Sequence, residues 1–320
     1  MSKRFLECTP SELTKLAKQD LLNGIRVAEG RVVCAYVCPR AASYIEKVSN
    51  LELAASFGAD MINIEGLDPK KLQMCGLPSK NSSDDQKYKT ELQLEMGFGW
   101  TVNEFRDLVG RPIGLILLVP DYEGQQISGL YGDAVYSREM MEYISNEGYH
   151  FVSLCGFNHD ALLNAVREAN EIAGETMVIE AGIPHGPGSI DGDFPPYNLR
   201  EVTTPEFVKN LANAGADIID IPAVGVTPGF TMEYVTALVD AIHEGKSLAA
   251  SCVAHSIEGA DDNTLRRIAI DNKVCGVDMY NVAAGGVYEA VTLPESLQAF
   301  CIAVKGRRHT YRRMCQSPKR

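Results

Sequence analysis

The stretch Asn213-Ala-Gly-Ala-Asp-Ile-Ile-Asp-Ile-Pro222 reads as the end of a helix, a glycine stop and a short apolar strand with one acid, Asp220, in its middle. The same phrase stands at Ser56-Phe-Gly-Ala-Asp-Met-Ile-Asn-Ile-Glu65 and, more loosely, at Val274-Cys-Gly-Val-Asp-Met-Tyr-Asn-Val282. Three copies of one helix-to-strand junction imply a repeated αβ unit.

Working outward from these copies, eight units can be laid along the chain of 320 residues. Thr9-Pro-Ser-Glu12 is a capping box with proline at the first helical position, and it opens a leading helix over 9–28. Strands are expected at 31–38, 60–65, 112–119, 149–155, 177–181, 217–221, 247–253 and 276–282, with a helical pattern after each. The near-continuous apolar run at 112–119 is what a parallel strand covered on both faces looks like. Helix-to-strand links are short, whereas the links after strands 2, 3 and 5 are long. The stretch 88–96 in the first of these long links has a helical pattern.

Strands alternating with helices in eight units predict an α/β fold, a single (β/α)8 TIM barrel over 1–320. The leading helix would cap its floor, and a basic tail follows over 306–320. The competing open, doubly wound sheet would want a glycine-rich phosphate turn after strand 1, and Cys38-Pro-Arg-Ala-Ala42 is not one.

Composition narrows the partners. The chain is 45% apolar and 22% charged, with net charge −12, although the segment from Lys305 to Arg320 holds seven Lys/Arg and no acid. Such an acidic body speaks against general nucleic-acid binding, and the tail reads more simply as an electrostatic partner for that body. Nine cysteines, an odd count with no CxxC, do not form a disulfide framework. No signal-like segment precedes the leading helix, and the longest apolar run, about 113–119, is far short of the roughly 20 residues that span a bilayer. A cytoplasmic protein with no membrane contact, forming a homo-oligomer, is expected.

Strand alternation then sorts the polar residues. Asp60, Asp217 and Asp278 fall at strand starts, on the floor of a barrel, where a structural role in bonding backbone N–H groups is expected. Asn63, Asp220 and Asn281 share parity with Met61, Ile218 and Met279 and should point inward near the upper layer. Glu65 points the same way nearer the mouth, and Glu180 ends strand 5. Glu180 and Asp220 lie on neighbouring strands, so they could form a close carboxylate pair. Such a pair can split its titrations for acid/base work or hold a hard divalent ion such as Mg2+; a polar layer satisfied by backbone N–H, Asn and Ser neighbours is the bland alternative.

Further candidates lie on loops. His185, in Ile183-Pro-His-Gly-Pro187, could shuttle a proton. His255 and Ser256 follow strand 7, and Gly285 and Gly286 follow strand 8, the positions where barrels often bind phosphate. Arg40, after strand 1, is a cation for an anionic substrate. No dedicated zinc spacing appears, and no lysine in the C-terminal half of a predicted strand suggests Schiff-base chemistry.

The segments Arg26-Val-Ala-Glu-Gly-Arg31, Val48-Ser-Asn-Leu-Glu-Leu-Ala54, Phe57-Gly-Ala-Asp60 and Lys305-Gly-Arg-Arg-His-Thr-Tyr-Arg-Arg-Met314 resemble an uncharacterised family of bacterial TIM-barrel proteins. Its members are sometimes labelled as similar to phosphoenolpyruvate phosphonomutases. The resemblance runs nearly the whole chain and implies the barrel fold. The phosphonomutase superfamily uses Mg2+, acids at strand ends and an anionic three-carbon substrate. Many members of the uncharacterised family carry a Gly-Asp-Ala-Gly segment after strand 8. Here Asn281-Val-Ala-Ala-Gly-Gly286 stands instead, so no acid can be carried over to that place.

Together these readings point to an enzyme on a small anionic metabolite, phosphorylated or carboxylated. Glu180 and Asp220 would be acid/base groups or Mg2+ ligands, with Glu65 and His185 beside them. His255, Ser256, Gly285, Gly286, Asn281, Asn63 and Arg40 would bind the ligand. The alternative is a metabolite-sensing barrel without turnover.

Overall fold

Eight short apolar segments, too buried on both faces to end in an open edge, pair side by side until the last meets the first. In the computed structural model, residues 3–80, 95–125, 132–184, 199–286 and 290–320 are described. The strands are β1 (Val32–Val37), β2 (Met61–Ile64), β3 (Ile113–Leu118), β4 (Phe151–Cys155), β5 (Val178–Gly182), β6 (Ile218–Pro222), β7 (Leu248–Val253) and β8 (Met279–Val282). They form one closed barrel in chain order, all parallel, with β1 paired to both β2 and β8. Closure excludes the open doubly wound sheet. Each strand matches its expected position to within three residues at either end.

The described helices are α1 (Pro10–Leu13), α2 (Lys18–Arg26), α3 (Asn50–Ser56), α4 (Val102–Val109), α5 (Arg138–Ile144), α6 (His159–Ala173), α7 (Leu199–Val202), α8 (Pro205–Ala214), α9 (Met232–Glu244), α10 (Asp262–Val274) and α11 (Pro294–Cys315). Their starts are set by short polar caps. Ser49, Thr101, Thr204 and Thr231 each accept a hydrogen bond from a backbone N–H in the first turn, which satisfies donors the helix itself cannot. No helix of the described residues is long and apolar enough to cross a membrane. Most of the stretch 88–96 lies outside the described residues.

Strand parity divides the core in two. Ile62, Ile64, Ile219, Ile221, Tyr280 and Val282 pack outward among the helices. Met61, Ile116, Phe151, Ile218 and Met279 fill the interior, together with Phe5, Leu13, Leu21 and Ile25 from the leading segment, which plugs the floor. That segment forms α1 and α2, not one continuous helix over 9–28; Ala17 caps the second with extended backbone. The break lets Lys18 turn inward. Its ammonium donates to the Gly174 carbonyl at 2.7 Å and pairs with Asp217 at 2.6 Å.

The three repeated junctions share one construction. Gly58, Gly215 and Gly276 adopt φ of 108°, 108° and 91°, a backbone that side chains rarely tolerate. The aspartate two residues later then clips the strand before it. Asp60 accepts from Val33 N at 3.0 Å, Asp217 from Ile179 N at 2.8 Å and Asp278 from Ala249 N at 2.8 Å. Each also gives its own N–H to the carbonyl of that same residue. The expectation of structural floor aspartates is met.

Each aspartate also has a basic partner: Lys18 for Asp217, His243 for Asp278, and both Lys305 and Arg313 for Asp60. The last two come from the basic tail. Gly306 breaks helical geometry at φ 74°, yet the helix resumes and carries Arg313 under the barrel. There it bonds Asp60 at 2.9 Å and the carbonyls of Cys8 and Phe5. Part of the tail is therefore a buried partner of the acidic body.

Candidate active site

A chain of buried polar groups crosses the barrel interior, built from strand positions of inward parity. Asn63 of β2 lies in register with Gly114 of β3. That glycine has no side chain in the way, and Asn63 Nδ2 reaches past β3 to Ser153 Oγ on β4 at 2.8 Å. Ser153 donates to Glu180 Oε2 at 2.6 Å. Asn281 Nδ2, from β8, donates both to Glu180 Oε1 at 2.6 Å and to Asp220 Oδ1 at 3.0 Å.

The two carboxylates are close but not level. Glu180 is in register with Ile218, and Asp220 with Gly182, so Asp220 sits two residues nearer the mouth. A side chain at 182 would collide with Asp220: an added Cβ would lie 2.5 Å from its carbonyl oxygen. Exposure follows height. Asn63 and Asn281 are fully buried, Glu180 is 1% exposed and Asp220 8%. Asp220 is the end of the chain that a ligand arriving at the mouth would meet.

Burial and proximity set the protonation. Burial raises the Glu180 carboxyl, opposed by the donors Ser153 and Asn281. Burial raises Asp220 further, and the neighbouring Glu180 charge adds to it against Asn281 and the Cys252 thiol. Two carboxylates held against one amide group in a dry interior cannot both ionise cheaply. Glu180, which accepts two hydrogen bonds, is the better anion, and Asp220 the group that keeps the proton.

Two groups in the same space escape motif reading. Tyr36 faces the interior from β1 and is 7% exposed. Burial pushes its hydroxyl well above its ordinary range, so it stays a neutral donor. Ser153 is the link that fixes Glu180. Parity is the only signal for either: a hydroxyl at an inward position of an otherwise apolar strand. Cys34, Cys155 and Cys252 share this interior, and burial, with the Glu180 charge adding to it, drives their thiols well up, away from thiolate. All nine cysteines are free.

The remaining candidates spread round the mouth. Glu65 is buried beyond the end of β2, and its charge adds to the burial that raises the Cys38 thiol. Arg40 pairs with Asp133 at 3.2 Å, tying the loop after β1 to the loop after β3. His255 and Ser256 take φ of 59° and 68°, left-handed backbone at two successive non-glycine residues, a strain that concentrates at functional sites. Gly286 gives its N–H to Ala284 and packs against the backbone of 291–293. Gly285 precedes it, half-buried, in the same turn. The structure brings Asn63, Glu180, Asp220 and Asn281 into one bonded group; Arg40, His255 and Gly285 lie apart from it. His185 falls outside the described residues.

Among solved structures, the chain is similar to a protein from Coccidioides immitis proposed to be a fructose-1,6-biphosphate aldolase. That match has 14% identity and TM-score 0.50, over 94% of this chain and 99% of the other. It is similar to thiamine phosphate pyrophosphorylase from Pyrococcus furiosus, with 14% identity and TM-score 0.46 over 87% and 98%. It also matches the carboxyl transferase domain of Rhizobium etli pyruvate carboxylase, at 13% identity and TM-score 0.46, over 94% of this chain and 51% of that one. Identities this low speak to fold and not to chemistry. None of the curated proteins matches the sequence. The whole-chain match is to a family of unknown function: residues 6–320 fit the family described as Domain of unknown function (DUF7916), and the protein belongs to it.

Proposed function

We propose that the barrel is an enzyme acting on a small anionic metabolite, phosphorylated or carboxylated, by acid/base chemistry at its C-terminal mouth. The observation that carries this reading is the Asn281 amide nitrogen held between Glu180 and Asp220 at 2.6 and 3.0 Å. It keeps the two carboxyls together in the dry interior, where burial and the Glu180 charge favour a protonated Asp220 beside a fixed anion, the arrangement a general acid needs at neutral pH. Asp220 would give or take the substrate proton. Glu180 would tune it, Asn281 would orient both, and Tyr36 would donate a second hydrogen bond to a developing oxyanion. The turns at His255, Ser256 and Gly285 would hold the anionic group, with Arg40, Glu65 and His185 at the rim.

Mg2+ would use Glu180 and Asp220. Among the described residues no group of three His, Cys, Asp or Glu side chains converges on a metal position. The gap between the two carboxylates is spanned by an N–H donor, which suits a shared proton better than a cation. No step here is routed through the ion, and its addition is one arm of the test. The phosphonomutase likeness, a cytoplasmic location and a homo-oligomeric state belong to this same proposal.

The test needs no prior substrate. Pools of keto acids and phosphorylated sugars are incubated in D2O with the protein, with and without Mg2+, and deuterium uptake is read by NMR. Wild type should label a compound without added metal, and Asp220→Asn should slow that by about 100-fold or more. Equal labelling by the variant would remove Asp220 from the chemistry. Ligand-dependent stabilisation with no labelling and no turnover would favour the sensing alternative.

A further inference from the structure

The end of the barrel opposite Asp220 carries a cleft of 440 Å3, lined among others by Lys15, Lys18, Arg106, Tyr149 and His150. Its walls come from the leading segment, α4 and the approach to β4. The lining contains no carboxylate, although the chain as a whole has net charge −12.

The cations are not equivalent. Lys18 is committed to Asp217 and to the Gly174 carbonyl. The side chains of Lys15 and Arg106 have no hydrogen bond or ion pair among the described residues, and Arg106 Nε is shut off from solvent without an acceptor. A guanidinium offers five donors and no acceptor, and a buried donor left unmade is costly. His150 cannot supply the missing acceptor. Its Nδ1 accepts from Ile113 N at 3.4 Å and its Nε2 faces the Thr14 carbonyl at 3.3 Å. Burial and then the Arg106 charge hold it down at about 4, so at neutral pH it is an uncharged, fixed part of the wall.

We infer that this floor cleft binds a phosphate group, free or carried on a small metabolite, between Arg106 and Lys15. A planar guanidinium pairs two N–H groups with phosphate oxygens, and an ammonium adds a point charge from another direction. The volume falls within the range of small-ligand sites. This site is separate from the Glu180–Asp220 group and stands or falls without it.

Isothermal titration of the full chain with sodium phosphate, at ionic strength held constant with sodium chloride, tests the inference. Saturable binding is expected in wild type and in Asp220→Asn, weakened about tenfold or more in Arg106→Gln and less in Lys15→Gln. Neither side chain has a polar partner to lose among the described residues, so both variants should melt as wild type does. If Arg106→Gln binds phosphate like wild type, or if binding disappears once ionic strength is matched, the site does not exist. Tighter binding of glycerol 3-phosphate through the same two residues would identify the ligand as a phosphorylated metabolite; equal binding would identify free phosphate.

Discussion

Asp220 holds a proton that the unfolded chain would release, because burial and Glu180 both oppose its charge. The unfolded carboxyl ionises near pH 4, as aspartates do. The folded one ionises higher, so the stability it contributes is complete below about pH 4 and falls as pH rises through the folded value. Asp220→Asn removes that titration while keeping an oxygen for Asn281. The variant should therefore gain on wild type between pH 4 and pH 8, reaching about 1 kcal/mol, or ~2 °C in melting temperature. Melting curves across that range check it; a difference that stays flat, or a less stable variant at pH 8, would show that the carboxyl is not held neutral. Gain of stability with loss of turnover at one residue is the mark of a site kept under strain for chemistry.

At the scale of elements, the glycine of β3 decides what the interior can hold. A Cβ at Gly114 would lie 2.2 Å from the Phe151 ring, and Asn63 passes the same position on its way to Ser153. Gly114→Ala should cost about 1–3 kcal/mol from overpacking. It should also lower activity by displacing Ser153 and hence Glu180, whereas Gly24→Ala, whose added Cβ would meet Phe5 at an ordinary 3.6 Å, should lower neither stability nor activity. Denaturant unfolding beside the deuterium-uptake assay separates the two effects; an unchanged midpoint would mean that Phe151 is free to move.

Much of this layout can be read from sequence, because parity and a threefold repeat are local facts. Aligning the junctions places Asp217 on the floor and Asp220 inside, and turns Asn63 and Asn281 inward as well. What the alignment lacks is height across strands. Register depends on the shear of the closed barrel, so the offset of Glu180 below Asp220 is not visible, nor is the bridging amide. Ser153 and Tyr36 each occur once, outside any repeat. The tail defeats local reading for a different reason: Gly306 does end regular helix geometry, but contacts with Phe5, Cys8 and Asp60 restart it.

For the whole molecule, the most costly point to disturb is the floor cluster. Burial alone would raise the Asp60 carboxyl, but Lys305 and Arg313 overcome it and hold the group below its ordinary range. The stability it contributes is then present above about pH 4 and lost as pH falls through the folded value. Lys305→Met leaves a buried carboxylate short of one cation and should cost about 3–5 kcal/mol at neutral pH. The deficit should grow in Lys305→Met/Asp60→Asn, where the buried Arg313 guanidinium loses its carboxylate. Urea midpoints of the two variants decide this; a neutral single substitution would mean that Arg313 suffices alone.

Asp60 waits for partners 245 and 253 residues away along the chain. On a ribosome, β2 emerges early, and its foot stays a charge that cannot be buried cheaply until residues 305–313 have left the exit tunnel. A product that stops short of residue 305 is then an unfinished barrel, holding all eight strands and lacking the piece that makes closing them worthwhile. Cellular proteases should sort such chains from those that carry Lys305 and Arg313.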